Sequence, residues 1–203
     1  MSRGYVIGLG SLPGAGKSAL TEQLVTRGLE HLHVGTIVRS IAADQGFIPA
    51  DNTREAYLPF WREYAAEHGQ DWLAKIAFST ANDKKAGVVL DGVRIPADAQ
   101  TVRRANNGKL IWIDGDLPVL AQRLLDRDRV EDAELETLEA HTEALQRQLD
   151  DTSGFSLGAV RELAEIRLFP TVQIDDLTAR QQYYGRQAAS LIDLCGPEIA
   201  ESY

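Results

Sequence analysis

The sequence contains a single cysteine, Cys195, and a single methionine among 203 residues. A lone cysteine cannot close an internal disulfide, so stability must come from the core, and a reducing cytoplasm is the compartment this suggests. Long apolar runs are also missing. None approaches the ~18 residues needed to cross a bilayer, which argues against a membrane-spanning chain. Met1-Ser2-Arg3-Gly4 leads directly into a strand-like segment, predicting no signal peptide. Positive charge is scarce, with 21 Lys and Arg against 30 Asp and Glu and a net charge of −9. Broad binding to nucleic acid needs a basic surface that displaces counterions, and this composition disfavours it. A small basic pocket in an acidic protein stays compatible, because electrostatic focusing is local. Internal repeats, low-complexity stretches and Gly/Ser/Pro linkers are absent, and the length suits one domain carrying a mobile subdomain.

What is present alternates in character along the chain. Residues 5–9 are a short apolar run before a glycine-rich turn, the pattern of a buried parallel strand. Residues 17–27 read as a helix stopped by Gly28. A strand at 32–34 and a helix at 36–44 follow. Residues 52–68 have helical spacing and are closed by Gly69. Asp71 reads as the N-cap of a helix reaching residue 82. Residues 86–90 (AGVVL) are the strongest buried-strand signal. A helix at 97–106, a strand at 110–113 and a helix at 117–125 come next. Residues 131–150 form an acidic amphipathic helix, residues 169–174 the last strand and 177–194 the last helix. Strands alternating with helices predict a three-layer α/β fold around a parallel sheet.

Ser11-Leu12-Pro13-Gly14-Ala15-Gly16-Lys17-Ser18 lies between the first strand and the first helix. It matches the second half of the G-x4-G-K-S/T phosphate-binding pattern, with Ser11 at the first position and Gly10 just before it. Glycines at 14 and 16 allow backbone N–H groups to converge on phosphate oxygens. The helix that starts near Lys17 adds unpaired N–H groups and a positive dipole end. The expected ligand is a nucleotide triphosphate, with Lys17 on its β- and γ-phosphates and the Ser18 hydroxyl on Mg²⁺.

Asp91 falls at the C-terminal end of the buried strand, where ligands bind in open parallel sheets. It can order the Mg²⁺ shell or accept a proton from an attacking hydroxyl. Arg94, three residues on, offers a planar fork for an acceptor phosphate.

These motifs resemble the nucleoside monophosphate kinase group of P-loop kinases, in particular small adenylate-kinase-like and dephospho-CoA-kinase-like proteins. Leu90-Asp91-Gly92-Val93-Arg94 resembles their strand-end D-G-x-R segment. His33-Val34-Gly35-Thr36-Ile37-Val38-Arg39 is similar to their S-T-G-D-L-L-R acceptor segment, matching at Gly35 and Arg39. Arg54-Glu55 through Glu67-His68-Gly69, then Trp72-Leu73-Ala74-Lys75, resemble the helical insert. Leu124-Leu125-Asp126-Arg127-Asp128-Arg129 falls where the lid begins. Val172-Gln173-Ile174-Asp175-Asp176 is similar to an I-x-N-D-G ending, with Asp175 in place of Asn.

The resemblance implies one P-loop kinase domain over residues 1–203, with a five-stranded sheet in 2-3-1-4-5 order. A helical acceptor-binding insert would span about residues 45–82 and a lid-like segment about 127–155. ATP would rest on Ser11, Pro13, Gly14, Ala15, Gly16, Lys17, Ser18 and Ala19, with Asp175 beyond, and Mg²⁺ on Ser18 and Asp91. Gly35, Arg39 and Arg94 would receive the acceptor. Lys17, Asp91, Arg94 and Arg127 form the expected catalytic set, with Arg123 and Arg129 as further lid candidates. Arg123 and Arg127 are four apart, a spacing that suits surface ion pairs equally well.

Tyr57, Phe60, Trp61 and Tyr64 recur at helical spacing and predict a packed face, on which Tyr57 or Trp61 can stack against an acceptor base. His31 and His33 lack further ligands at zinc spacing. His68 and His141 are expected at the surface, and Cys195 is assigned no chemistry. The function implied is an ATP- and Mg²⁺-dependent phosphotransferase acting on a nucleotide or nucleotide-like small molecule, in a monomer or homodimer. A dephospho-CoA-type kinase, a kinase for a modified base in DNA and a regulatory P-loop ATPase are the alternatives.

Overall fold

The structure is a computed structural model that describes residues 4–51, 53, 55–127, 135, 137–152, 155–170 and 177–195. Its centre is β1 (Tyr5–Ser11), buried at every position as its apolar run predicts. Around β1 stand β2 (Glu30–His33), β3 (Gly87–Asp91), β4 (Gly108–Ile113) and β5 (Ile166–Leu168). All pairings are parallel and the order is β2-β3-β1-β4-β5. The expected order and α/β class are those observed.

Register places the functional end. Leu9 of β1 stands beside Asp91 of β3, and Asp91 beside His33 of β2. The C-terminal ends of β2 and β3 are therefore level, and β1 runs two residues further, to Ser11.

Helices α1 (Lys17–Val25) and α9 (Leu177–Cys195) pack on each other and on the sheet. Helices α4 (Trp72–Lys84), α5 (Pro96–Arg104) and α8 (Leu157–Leu163) form a second contiguous layer. Helix α2 (Val34–Asp44), a 3₁₀ turn (Glu55–Tyr57) and α3 (Leu58–His68) build the insert. A second apolar cluster joins α2, α3 and α4 through Val38, Phe60, Trp61, Trp72 and Leu73. The aromatic stripe is packed as predicted, with Phe60 against Phe47 at 5.4 Å and Tyr64 against Trp72 at 4.8 Å between ring centroids. Pro59 sits in the first turn of α3, where its missing N–H costs no hydrogen bond. Helices α6 (Leu117–Leu125) and α7 (Leu138–Asp150) pack together.

Several elements depart from expectation. The acidic helix begins at Leu138, because Thr137 caps it by accepting the Ala140 N–H at 3.1 Å; residues 131–134 and 136 lie outside the described residues. His141 is only 2% exposed, not at the surface, since it shares the inward face of α7 with Leu145 one turn on. Helix α8 was not anticipated, although Ser156 caps it by accepting the Ala159 N–H at 3.3 Å. The strand expected at 169–174 is preceded by β5, where Ile166 and Leu168 alternate with Arg167, while Phe169 is 53% exposed. Residues 171–176 lie outside the described residues.

Asp71 precedes α4 but makes no capping bond. Its carboxylate instead meets the Lys75 ammonium at 2.8 Å and accepts the Thr101 hydroxyl at 3.0 Å. The α4 amides are served from another helix: Asp98 of α5 accepts the Ala74 N–H at 2.8 Å. Asp98 is 2% exposed, and burial pushes its carboxyl up from 3.8 to about 7 despite that amide.

The sign of the pH effect follows. Between 3.8 and about 7 the folded chain keeps a proton at Asp98 that the unfolded chain has lost, so this group's contribution to stability falls as pH rises through that window. Asp98→Asn keeps an oxygen for the Ala74 amide and cannot ionise. Urea denaturation at pH 5 and pH 8 should show this variant gaining on the native chain at the higher pH. An equal difference at both would contradict the assignment.

Candidate active site

The turn between β1 and α1 is shaped by two glycines in the left-handed region, Gly14 at φ 83° and Gly16 at φ 96°. A side chain there is strained, and at Gly16 it is also blocked. A Cβ on Gly16 would fall 1.9 Å from the hydroxyl oxygen of Tyr184. That buried hydroxyl of α9 donates to the Ala15 carbonyl at 3.0 Å. From α6, the Arg123 guanidinium donates to the Gly14 carbonyl at 3.2 Å. Two carbonyls of the turn are thus held by side chains from distant helices. The Ala19 and Leu20 N–H groups turn to the Gly16 carbonyl at 3.1 and 3.3 Å, and the amides that precede them at the start of α1, with the helix dipole, suit an anion. Lys17 and Ser18 open that helix, and Ser18 is exposed.

Asp91, 4% exposed at the end of β3, faces two partners. The Lys17 ammonium forms an ion pair with one carboxylate oxygen. The other lies 3.1 Å from Nε2 of His31 in β2. Burial pushes the Asp91 carboxyl up, but the Lys17 charge and hydrogen bonds from Lys17 and His31 outweigh it and hold it below the ordinary carboxylate range. Asp91 is therefore an ionised carboxylate at the rim of the sheet.

Beside this pair opens a cavity of about 640 Å³. Its apolar wall comes from Val34, Val38, Leu58, Trp61, Leu73, Ile95 and Phe155. Lys17, His33, Gly35, Arg39, Thr53, Tyr57, Gly92 and Arg94 add the polar and backbone surface. The Trp61 and Phe155 rings meet at 5.6 Å between centroids, joining the insert to the segment before α8. One cavity thus receives three cationic side chains and three aromatic rings.

Most of the residues expected from sequence converge here. Lys17, Gly35, Arg39, Tyr57, Trp61 and Arg94 line the cavity, and Asp91 pairs with Lys17 at its edge. Ser11 closes β1, and Pro13, Ala15 and Ala19 belong to the turn or the first turn of α1. Arg127 is exposed beyond the end of α6 and does not line the cavity. Asp175 and Arg129 lie outside the described residues, as does Arg54. Sequence reading missed the Tyr184 and Arg123 contacts, the His31 partner of Asp91, and His33 as a wall residue. It also missed Asp114 at the end of β4, which Arg161 of α8 grips through two nitrogens at 2.9 and 2.7 Å. Only the Gly-Lys-Ser turn could have hinted at a buttress, and it does not say from where. Cys195 stays without chemistry, since burial pushes its thiol up to about 11.

A parallel sheet in this order, with a Gly-Ala-Gly-Lys-Ser turn at its rim and a cavity shared by the turn's lysine, gives the chain the fold of the P-loop small kinases. The chain belongs to the family described as AAA domain, whose model matches residues 7–143. Among curated relatives, a UPF0200 protein of Methanoregula boonei is 29% identical over 86% of this chain and 92% of its own length. Another, from Halobacterium salinarum, is 26% identical over 84% of this chain and 86% of its own length. Solved structures share the fold at low identity. Shikimate kinase from Bacteroides thetaiotaomicron superposes with a TM-score of 0.58 at 14% identity, covering 92% of this chain and 98% of its own. Dephospho-CoA kinase from Campylobacter jejuni gives 0.53 at 14% identity, covering 92% and 96%. Among the described residues, no helix is long and apolar enough to cross a membrane.

The buttress is testable by stability. Tyr184→Phe leaves the Ala15 carbonyl without its donor, at a cost of about 1–3 kcal/mol. Gly16→Ala adds left-handed strain of ~1–2 kcal/mol and displaces the tyrosine as well. Urea titration should find Gly16→Ala the worse of the two, and the double variant less damaging than the sum. Simple additivity would show that the ring and the turn do not constrain each other.

Proposed function

We propose that the protein is an ATP- and Mg²⁺-dependent phosphotransferase that moves the γ-phosphate of ATP to a nucleotide or nucleotide-like acceptor. The observation that carries this reading is that Lys17, from the nucleotide turn, shares one cavity with Arg39 and Arg94. The cation that would hold the donor and the two that would hold the acceptor therefore face the same space. Transfer of a phosphoryl group depends mainly on positioning and charge neutralisation, and this arrangement supplies both.

The triphosphate rests on residues 14–18, and Lys17 moves its charge from Asp91 to the phosphates. The ionised Asp91 and the exposed Ser18 hydroxyl offer the oxygen ligands that Mg²⁺ takes, and the bound ion neutralises polyphosphate charge. Arg39 and Arg94 receive the acceptor's anionic group, while Tyr57 and Trp61 offer rings for its planar part. The insert about residues 45–82 and the lid-like segment about 127–155 serve one catalytic domain, and excluding water from the cavity prevents wasteful hydrolysis. A second reading, an acceptor hydroxyl as in dephospho-CoA, draws on the position of Asp91: its carboxylate stands at the strand end beside Lys17 of the cavity, where it could take the hydroxyl proton once Lys17 turns to the phosphates.

The test is incubation with Mg·ATP and a panel of nucleoside and deoxynucleoside monophosphates, dephospho-CoA and modified oligonucleotides, reading ADP and product mass. One acceptor class should raise ADP formation and gain the mass of a phosphoryl group. Lys17→Ala should lower that turnover about 100-fold or more with an unchanged circular dichroism spectrum. Near-normal turnover in Lys17→Ala would remove the basis of the proposal. ADP formed at one rate whatever the acceptor would favour a regulatory ATPase instead.

A further inference from the structure

His33 has a fixed chemistry that the phosphoryl-transfer reading does not use. It is the N-cap of α2, with φ −88° and ψ 120°, and its Nδ1 accepts the Thr36 N–H at 3.3 Å. The Thr36 hydroxyl lies 3.3 Å from the same nitrogen. A ring nitrogen that accepts from an amide carries no proton, so in the neutral ring the proton is on Nε2. Burial lowers the His33 pKa, and Lys17, Arg39 and His31 act in the same direction, with Asp91 alone opposing. Protonating Nδ1 would also break the cap and set a cation at a helix N-terminus. The ring is thereby held as an Nε2–H donor.

Gly35 sets what stands next to that donor. A Cβ there would come within 3.0 Å of His33 Cε1 and 3.3 Å of Arg39 Nη1. The imidazole and the guanidinium therefore crowd over one Cα that only glycine leaves open. Both side chains line the cavity. Among the described residues, no carboxylate pairs with Arg39 and no protein acceptor meets His33 Nε2.

We infer that His33 is an acceptor-binding residue whose Nε2–H, alongside the Arg39 guanidinium over Gly35, holds the oxyanion of the acceptor. This rests on the proposed phosphotransferase reading and narrows it: the acceptor carries a phosphate or carboxylate, and a neutral acceptor is rejected. Two donors of fixed orientation receive two oxygens of a planar or tetrahedral anion, and an uncharged group leaves the guanidinium charge without a counter-charge and makes only the weaker, neutral hydrogen bonds.

Two substitutions separate the two nitrogens of the ring. His33→Asn places an amide oxygen where Nδ1 caps α2 and removes the distal donor. His33→Gln places an amide donor near Nε2 and removes the cap. Calorimetry on full-length protein saturated with Mg·AMPPNP would use phenyl phosphate, benzoate and phenol as probes. The native chain should bind phenyl phosphate or benzoate, whichever carries the matching oxyanion, and not phenol. His33→Asn should weaken that binding about tenfold or more while keeping the native melting temperature. His33→Gln should lower the melting temperature and keep more of the affinity. In ¹⁵N-histidine spectra, Nδ1 of His33 should be unprotonated and the bound anion should shift Nε2. Unchanged affinity in His33→Asn, phenol binding as well as the anions, or no anion binding to the AMPPNP-saturated chain overturns the inference. Parallel loss of stability and affinity in both variants also overturns it, by leaving His33 a cap alone. Failure of Mg·AMPPNP to bind the native chain is a different result and removes the phosphotransferase reading itself.

Discussion

A carboxylate carried into a protein interior needs a cation beside it, because the effective desolvation penalty is several kcal/mol per ion. Asp91 is such a carboxylate, and the ion pair with Lys17 is the contact around which the site is arranged. It ties β3 to the first residue of α1, and His31 adds a tie to β2. Since β2 and β3 end level and β1 continues only two residues beyond them, those ties gather the charged groups at one rim. In the proposed phosphotransferase the same ammonium would serve a polyphosphate on the turn. Asp91 would then hold Lys17 next to that site, and a divalent ion would be the natural replacement partner for the carboxylate once the lysine moved.

What could be read from the chain was whatever is written in consecutive residues. The run before Gly14, the Gly-Lys-Ser turn and the apolar segment ending at Asp91 each state their structure within a few positions. Their agreement with the observed sheet order reflects that parallel strands buried on both faces need continuous apolar runs. Arg94 was legible because it follows the strand-end Asp91 by three residues, and Arg39 because residues 33–39 resemble a kinase acceptor segment. The misses involve partners from elsewhere. Asp71 has the right residue type and place for an N-cap, yet Lys75 and Thr101 take its carboxylate and Asp98 of another helix serves the amides. His141 looks like a surface residue in an acidic segment until α7 is laid against α6. Helix α8 and β5 are seven and three residues long, too short for periodicity to separate them from a loop.

Under the proposed function, the cavity shows a division of labour between a nucleotide half and an acceptor half. The nucleotide half is made mostly of backbone, so it depends on glycines and tolerates little change. The acceptor half is made of side chains on α2, the insert and the segment before α8, which can vary while the sheet stays put. Structures that share this sheet at 14% identity, with TM-scores of 0.58 and 0.53, illustrate how far side chains can drift under one framework. Position 33 is an instance: an imidazole stands where the segment it resembles has serine, caps α2, and has a second nitrogen left over.

The bond between the Tyr184 hydroxyl and the Ala15 carbonyl joins residues 169 positions apart. Translation makes the glycine-rich turn well before its back support. A chain still on the ribosome before residue 184 has emerged holds every residue of the turn but not the ring that braces it. Bracing of the turn is thus coupled to synthesis of α9.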